Sequence, residues 1–361
     1  MTTITTSADA PVAKALPIVP EEVTKEWLAE VLGLKIKSVE LTDAIHGTAS
    51  KVFFTITYDE SETAVEKPEK ICIKGGFNPS LTAAIPLLID IYRREALFFA
   101  NIAPKLTSMH LVKSWWAGED ERQGLVIMED LSKKNYTFGK VKEPWTPDMV
   151  KKALEELAVL HGTTWNQGPK DYPWLKSHYD EAVLGMLPAI NYGQFVIDPE
   201  RPPLPEPMRD QARVEAMLKK HFANRNPKFM CVIHGDCHIM NASVSPQGQI
   251  GLVDWQMLDS GGCFHDVAYF ITGSLTVEDR RAHEMDLLQH YLDMLYKYGG
   301  PKLSAKDEDV IHEYTKSVFS GIGWIVATTQ MQPIEILYPM IERYVVGIED
   351  HKVVDLLESL P

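Results

Sequence analysis

Cysteine is scarce. Only Cys72, Cys231, Cys237 and Cys263 occur among 361 residues, and none stands in a C-x-x-C pair. Four such residues in so long a chain do not make the disulfide framework of a small secreted scaffold. Positive charge is also short. Lys and Arg total 36 against 50 Asp and Glu, a formal net charge of −14. That argues against the basic surface needed to bind nucleic-acid phosphates or an anionic membrane. Long apolar runs are missing as well. The longest uncharged stretch, Ser317 to Ile334, is interrupted by Ser320, Thr328, Thr329, Gln330, Gln332 and Pro333. It reads as a buried helix, not a membrane span. The start of the chain, MTTITTSADAPVAKALPIVP, has neither the basic opening nor the apolar core of a signal peptide. Its Ser, Thr, Ala and Pro content reads as a disordered tail through residue 15. A soluble cytoplasmic protein is expected.

The length exceeds what one simple core usually supports, so two lobes are expected. Residues 21–33 carry Val23, Trp27, Leu28, Val31 and Leu32 at helical spacing, with Gly33 as the stop. Strands are predicted at 35–40, 52–58, 71–74, 111–116 and 124–128, with a turn through Ile45–Ser50 and a helix over 83–101. After Met128-Glu129-Asp130-Leu131 the pattern becomes helical. Helices are predicted over 147–166, 209–222, 283–298, 305–330 and 335–359. Residues 283–298 place Met285, Leu288, Tyr291, Leu292 and Leu295 on one stripe. Pro199 to Pro207 reads as a surface connection. The reading is therefore an α+β protein of two lobes: a small β-rich lobe over 16–128 with five strands and a helix, a hinge at 129–131, and a helical lobe over 132–361.

The most informative segment is Phe229 to Asp254. An apolar run enters the polar loop His234-Gly235-Asp236-Cys237-His238-Ile239-Met240-Asn241. Ser245-Pro246-Gln247-Gly248 has turn chemistry between strand candidates Asn241–Val244 and Gln249–Val253. Folding there places Asn241 nearly opposite Asp254, so an amide oxygen and a carboxylate can share a hard cation such as Mg²⁺. Asp236, five residues before Asn241, is placed to accept a proton from an attacking hydroxyl. Phosphoryl transfer needs these parts, because it relies on positioning and charge neutralisation. It also needs a cation on the donor phosphates. Lys74, ending the strand Ile71-Cys72-Ile73, supplies one, and Glu95 on the following helix is its expected partner.

In these residues the chain resembles the aminoglycoside phosphotransferase and choline kinase superfamily. His234 to Asn241 matches its H-G-D-x-x-x-x-N motif. Asp254-Trp255-Gln256 and the stretch Gly261 to Phe270, which includes Asp266, look most like the ecdysteroid-kinase-like branch. Met128 to Leu131 resembles the hinge, and Leu160-His161 the first large helix of the second lobe; the resemblance spans about residues 20–350. It implies a bilobal protein-kinase-like fold, ATP, Mg²⁺ and a small-molecule hydroxyl acceptor. It also implies Asp236 as catalytic base, Asn241 and Asp254 as metal ligands, and Lys74 on the nucleotide phosphates. The backbone at Glu129 and Leu131 would meet the adenine. The glycine-rich loop is reduced to His46-Gly47-Thr48-Ala49-Ser50, leaving Gly47 and Ser50 as its nucleotide-binding positions. Gly235 replaces the arginine of a protein-kinase H-R-D, and no A-P-E segment follows, which disfavours a protein substrate.

Other readings compete. His234 and His238 are four apart, but the glutamate-bearing helix of H-E-x-x-H is missing, so His234 reads as a loop-orienting residue. His161 reads as a satisfied core histidine, and Asp266 as a bonder of loop backbone. Trp324, Tyr338 and Tyr344 are pocket-wall candidates whose helical spacing equally suits a core. A non-catalytic nucleotide-binding scaffold would be expected to have lost the base or a metal ligand, and all are present. Among acceptors an aminoglycoside-like antibiotic, a choline-like amine, a sterol and a hydroxylated acyl thioester remain open. The ecdysteroid-kinase-like resemblance tips slightly away from the first two.

Overall fold

The structure, a computed structural model, describes residues 15–175 and 179–361. The tail expected at 1–15 therefore lies outside the described residues, apart from Ala15. The chain divides into two units. The first comprises residues up to Ala100 together with Lys113–Asp130; the second comprises Asn101–Val112 and Leu131–Pro361. The expected first lobe ran unbroken over 16–128, whereas here residues 101–112 cluster with the second unit.

The first unit is built on a five-stranded antiparallel sheet. Its strands are β1 (Ile36–Ile45), β2 (Ser50–Tyr58), β3 (Lys70–Gly75), β4 (Ser114–Glu119) and β5 (Gly124–Glu129), in the order β1-β2-β3-β5-β4. Strand β2 alternates buried and half-buried residues, as a strand covered on one face should. Val52, Phe54 and Ile56 join Ile71, Ile73, Leu125 and Ile127 in one cluster, capped by Trp27 and Leu28. Those last two lie on α1 (Lys25–Leu32), which Thr24 caps and Gly33 ends in the left-handed conformation. Strand β3 is buried from Ile71 to Gly75. Alternation sends Ile71 and Ile73 into the cluster and Cys72 and Lys74 to the opposite face.

The helix expected over 83–101 is two helices, α2 (Pro79–Ala84) and α3 (Leu87–Asn101). Pro86 explains the break. It disfavours helical backbone at the residue before it, and Ile85 sits at φ −133°, ψ 80°. The fourth strand starts at Ser114, not at 111.

The second unit is mainly helical: α4 (Pro147–Thr163), α5 (Tyr179–Ala189), α6 (Tyr192–Phe195), α7 (Gln211–Ala223), α8 (Phe264–Ser274), α9 (Val277–Lys297), α10 (Glu308–Ser317), α11 (Ile322–Val326), α12 (Ile334–Asp350) and α13 (Val353–Ser359). Short strands carry the functional loops. They are β6 (Thr137–Phe138), β7 (Met230–Ile233), β8 (Ala242–Val244), β9 (Ile250–Leu252) and β10 (Asp259–Gly262). Strand β7 pairs with β10, and β8 lies between β6 and β9.

Three helix expectations need correction. The helix over 305–330 ends at Ser317, passes through a 3-10 turn, and resumes only as α11. A Cβ at Gly321 would lie 2.0 Å from the Tyr344 ring, so this turn packs directly against α12. The helix over 335–359 is interrupted at Lys352, which has φ +50°. Met285 is exposed, and the buried face of α9 runs through Glu284, Leu288, Tyr291, Leu292 and Leu295.

Candidate functional site

In the first unit, Lys74 Nζ lies 2.8 and 2.9 Å from the two carboxylate oxygens of Glu95 on α3. Both side chains are about 95% buried. Close steric fits surround the pair. A Cβ at Gly75 would meet the Leu125 side chain at 2.3 Å, and one at Gly76 would meet the Tyr92 ring at 2.5 Å. The two glycines after Lys74 thus let the strand end pass against its neighbours. A Cβ at Gly47, in the β1–β2 turn, would meet the Ala49 carbonyl oxygen at 3.5 Å, an ordinary contact distance. Ser50 is buried at the start of β2, its Oγ 3.1 Å from His46 Nδ1. The Glu129 N–H donates to the Lys113 carbonyl at 3.0 Å, so it is committed to the sheet and unavailable to an adenine. Leu131, in the second unit, opens a 3-10 turn whose own hydrogen bonds do not use its N–H.

In the second unit, β7 delivers the chain into the loop from His234 to Asn241. The H-G-D conformation is imposed at Gly235. Its φ is +81°, and a Cβ there would lie 2.1 Å from the Met257 carbonyl oxygen. No residue with a side chain fits, which accounts for glycine at this position. Asp266, in the first turn of α8, holds the loop from below. Its carboxylate accepts from the N–H of His234 at 2.6 Å and of Gly235 at 3.0 Å. It also contacts His161 Nε2 at 3.1 Å. With that Nε2–H donating to Asp266, His161 Nδ1 accepts from the Tyr291 hydroxyl at 2.8 Å. Burial alone would raise the Asp266 pKa. The hydrogen bond from His161, the largest opposing effect, helps hold it below the ordinary value. His161 and Asp266 are thus anchors, as the sequence suggests.

His234 joins the two halves of the site. Burial lowers its pKa, against the pull of Asp266 and Asp236. The neutral ring donates from Nε2 to the Val253 carbonyl at 3.0 Å, and its Nδ1 faces the Asp236 N–H at 3.4 Å. With both nitrogens engaged, the ring orients the loop and has no lone pair left for zinc.

Asp236 keeps about a third of its side chain exposed. Desolvation pushes its pKa up, but the charge and hydrogen bond of His238, then His234 and the Tyr269 hydroxyl, pull it down to about 2. The Asn241 Nδ2 donates to the Asp236 carbonyl at 2.9 Å and faces its Oδ2 at 3.4 Å. The hairpin register differs from expectation by one residue. Ala242 pairs with Leu252, and the Val253 N–H donates to the Asn241 carbonyl at 2.9 Å. Val253, not Asp254, therefore stands opposite Asn241. Asp254 follows in the left-handed region at φ +70°. A non-glycine residue there carries strain of about 1–3 kcal/mol, a cost often found at functional sites.

Three residues that spacing does not reveal surround this loop. His238 Nε2 lies 3.6 Å from Asp236 Oδ2, and the Tyr269 hydroxyl lies 3.4 Å from Oδ1. His265 contacts the Gly235 carbonyl through Nε2 at 3.1 Å and the Ser320 hydroxyl through Nδ1 at 2.9 Å. Of the wall candidates, Trp324 packs edge-on against His238 at 5.4 Å, Tyr344 is a fully buried core residue, and Tyr338 is half-buried.

The sequence profile of the ecdysteroid kinase-like family matches residues 49–179 and 207–299. No curated protein matches the sequence. Among solved structures, LicA in complex with AMP aligns with a TM-score of 0.50 and 16% identity, over 91% of this chain and 97% of that one. An ethanolamine kinase from Plasmodium vivax aligns at 0.49 and 12%, over 94% and 86%. The choline kinase LicA from Streptococcus pneumoniae aligns at 0.48 and 15%, over 92% and 98%. At these identities the likeness concerns the fold, a kinase-like α+β architecture.

Proposed function

The chain belongs to the ecdysteroid kinase-like family, and from that premise we propose that it is an ATP- and Mg²⁺-dependent small-molecule kinase. It transfers the γ-phosphate to an acceptor hydroxyl. The observation that carries this reading is the Asp236 loop: a part-exposed carboxylate, ionised at any physiological pH, held from the side by Asn241 and from below by Asp266. Asp236 orients the acceptor hydroxyl and takes its proton as the acceptor oxygen bonds to phosphorus and ADP leaves. Lys74, kept extended by Glu95, neutralises donor phosphate charge.

The donor set suits Mg²⁺. Asn241 commits its amide nitrogen to Asp236, which leaves its oxygen as the cation-facing end. Asp254 adds a carboxylate. Two protein oxygens, with phosphate and water completing the shell, match how Mg²⁺ is commonly held. When bound, the ion supplies charge neutralisation on the phosphates. Gly47, Ser50 and the Leu131 N–H are the further nucleotide contacts in this reading. Four free, buried cysteines fit a reducing cytoplasm.

The test is a thermal-shift comparison with and without Mg-ATP, followed by a screen of hydroxyl-bearing small molecules against wild type and Asp236→Asn. At about 100 times the dissociation constant, a ligand that binds only the folded state adds ~2.7 kcal/mol. A Mg²⁺-dependent rise is expected in both proteins. Turnover in Asp236→Asn should fall at least ~100-fold, the size of a lost general base. Full turnover in that variant would sink the assignment.

A further inference from the structure

Asp236 offers two oxygens, and the structure treats them differently. Oδ2 faces two nitrogen donors, Asn241 Nδ2 at 3.4 Å and His238 Nε2 at 3.6 Å. Oδ1 faces a hydroxyl, that of Tyr269, at 3.4 Å. A hydroxyl donating to this carboxylate is the contact an acceptor must make. Tyr269 cannot follow the carboxylate if it moves. Its ring stacks on Tyr344 at 5.4 Å and 21°, and its own carbonyl accepts from the Tyr344 hydroxyl at 2.8 Å. The residue is 6% exposed, while the Asp236 side chain is 34% exposed, so solvent reaches the carboxylate.

We propose that Tyr269 is a specificity residue that discriminates against water: its hydroxyl holds the acceptor hydroxyl's place at Asp236 Oδ1 until an acceptor displaces it. This rests on the kinase reading above. The length of the contact suits the role. At 3.4 Å the bond is well beyond the 2.7–2.8 Å typical of O–H···O, so little is lost when it breaks. An acceptor brings binding energy from the rest of its structure to displace the phenol. Water brings none, so it competes less well for Oδ1 and wasteful hydrolysis of ATP is slowed. Tyr269 does not enter the bond changes; it decides which hydroxyl meets the base.

The experiment measures ADP release from Mg-ATP with water as the only acceptor, for wild type, Tyr269→Phe and the Tyr269→Phe/Asp236→Asn double variant. Loss of the phenol hydroxyl should raise hydrolysis about two- to threefold, the low end of one net hydrogen bond, as a 3.4 Å contact implies. The double variant should lose that gain. A merely structural role predicts a fall, not a rise. If the Phe variant does not fold, Tyr269→Met fills the ring volume without a hydroxyl and carries the same expectation. Hydrolysis that is unchanged, slower or undetectable in a folded variant overturns the proposal. If Mg-ATP still raises the melting temperature, the kinase reading survives that result. If Mg-ATP has no effect on any of the proteins, the kinase reading fails first.

Discussion

Asp266 is fully buried, and three groups converge on its carboxylate: two backbone N–H groups of the loop and His161 Nε2. Asp266→Asn keeps the shape but changes the chemistry. One amide oxygen can replace Oδ2 for the His234 N–H and His161. The amide NH₂ then faces the Gly235 N–H, donor against donor. The variant loses one charge-assisted bond and weakens two others to neutral ones. With charged hydrogen bonds worth about 1.5–3 kcal/mol and neutral ones about 1, the net loss is about 2.5–7 kcal/mol. For a folding unit of roughly 150–250 residues that lowers the melting temperature by about 5–28 °C. The pH dependence has a definite sign. The folded pKa lies below the unfolded value, so the stabilisation is fully present above the unfolded value of about 4. It disappears as pH falls through the lower folded value. Urea denaturation of both proteins at pH 7.5, and again at steps from pH 5 to 3, should show a gap that narrows on acidification. A gap under about 0.5 kcal/mol at pH 7.5 would refute the anchoring argument.

Two other variants separate stability from function. Lys74→Met leaves the Glu95 carboxylate buried without its lysine and should cost about 3–5 kcal/mol in denaturant. Lys74→Met/Glu95→Leu should recover most of that stability yet fail to restore the Mg-ATP thermal shift; recovery of the shift would remove Lys74 from the nucleotide site. Glu156 has its pKa pushed up to about 7, chiefly by burial, with the His110 N–H opposing and Glu155 adding to the rise. A carboxyl with a raised folded pKa stabilises most below its unfolded value and loses that contribution as pH climbs to 7. Glu156→Gln should therefore stabilise the protein by about 1–3 kcal/mol at pH 8 and hardly at all at pH 5. Melting curves at the two pH values check this, and destabilisation at pH 8 would contradict it.

Local signals were legible wherever local chemistry decided the outcome. Gly33 ended its helix, and the alternation in β2 marked a strand covered on one face. Lys74 was readable near the end of a well-patterned strand and Glu95 within a well-patterned helix, and the structure brings the two together. Register was harder. The turn from Ser245 to Gly248 was evident, but Gly248 at φ +78° fixes how the strands meet, and the pairing settles one residue from expectation. Contacts across the helical unit were not legible at all. His161 and Asp266 are 105 residues apart, and Tyr269 meets Asp236 across 33. Tyr269 sits in an otherwise apolar stretch of α8, where an aromatic residue reads as core. The break at Ile85–Pro86 could have been taken from the proline itself.

The anchoring of the loop also explains why polar residues occupy the interior of the second unit. The loop must expose Asp236 while its own backbone turns inward at Gly235 and leaves two N–H groups buried. Buried backbone donors need acceptors, and apolar packing provides none. A single carboxylate satisfies both, and its burial is compensated by His161, itself fixed by Tyr291. Hydrophobic contacts are non-directional and hold a helix well enough, but they do not set the direction of a carboxylate. Here direction is passed along hydrogen bonds, from Tyr291 through His161 and Asp266 to the loop backbone, and from His234 to Val253 beside Asp254. The residues proposed for proton transfer and metal binding thereby share one buried polar frame. That frame lies within the second unit.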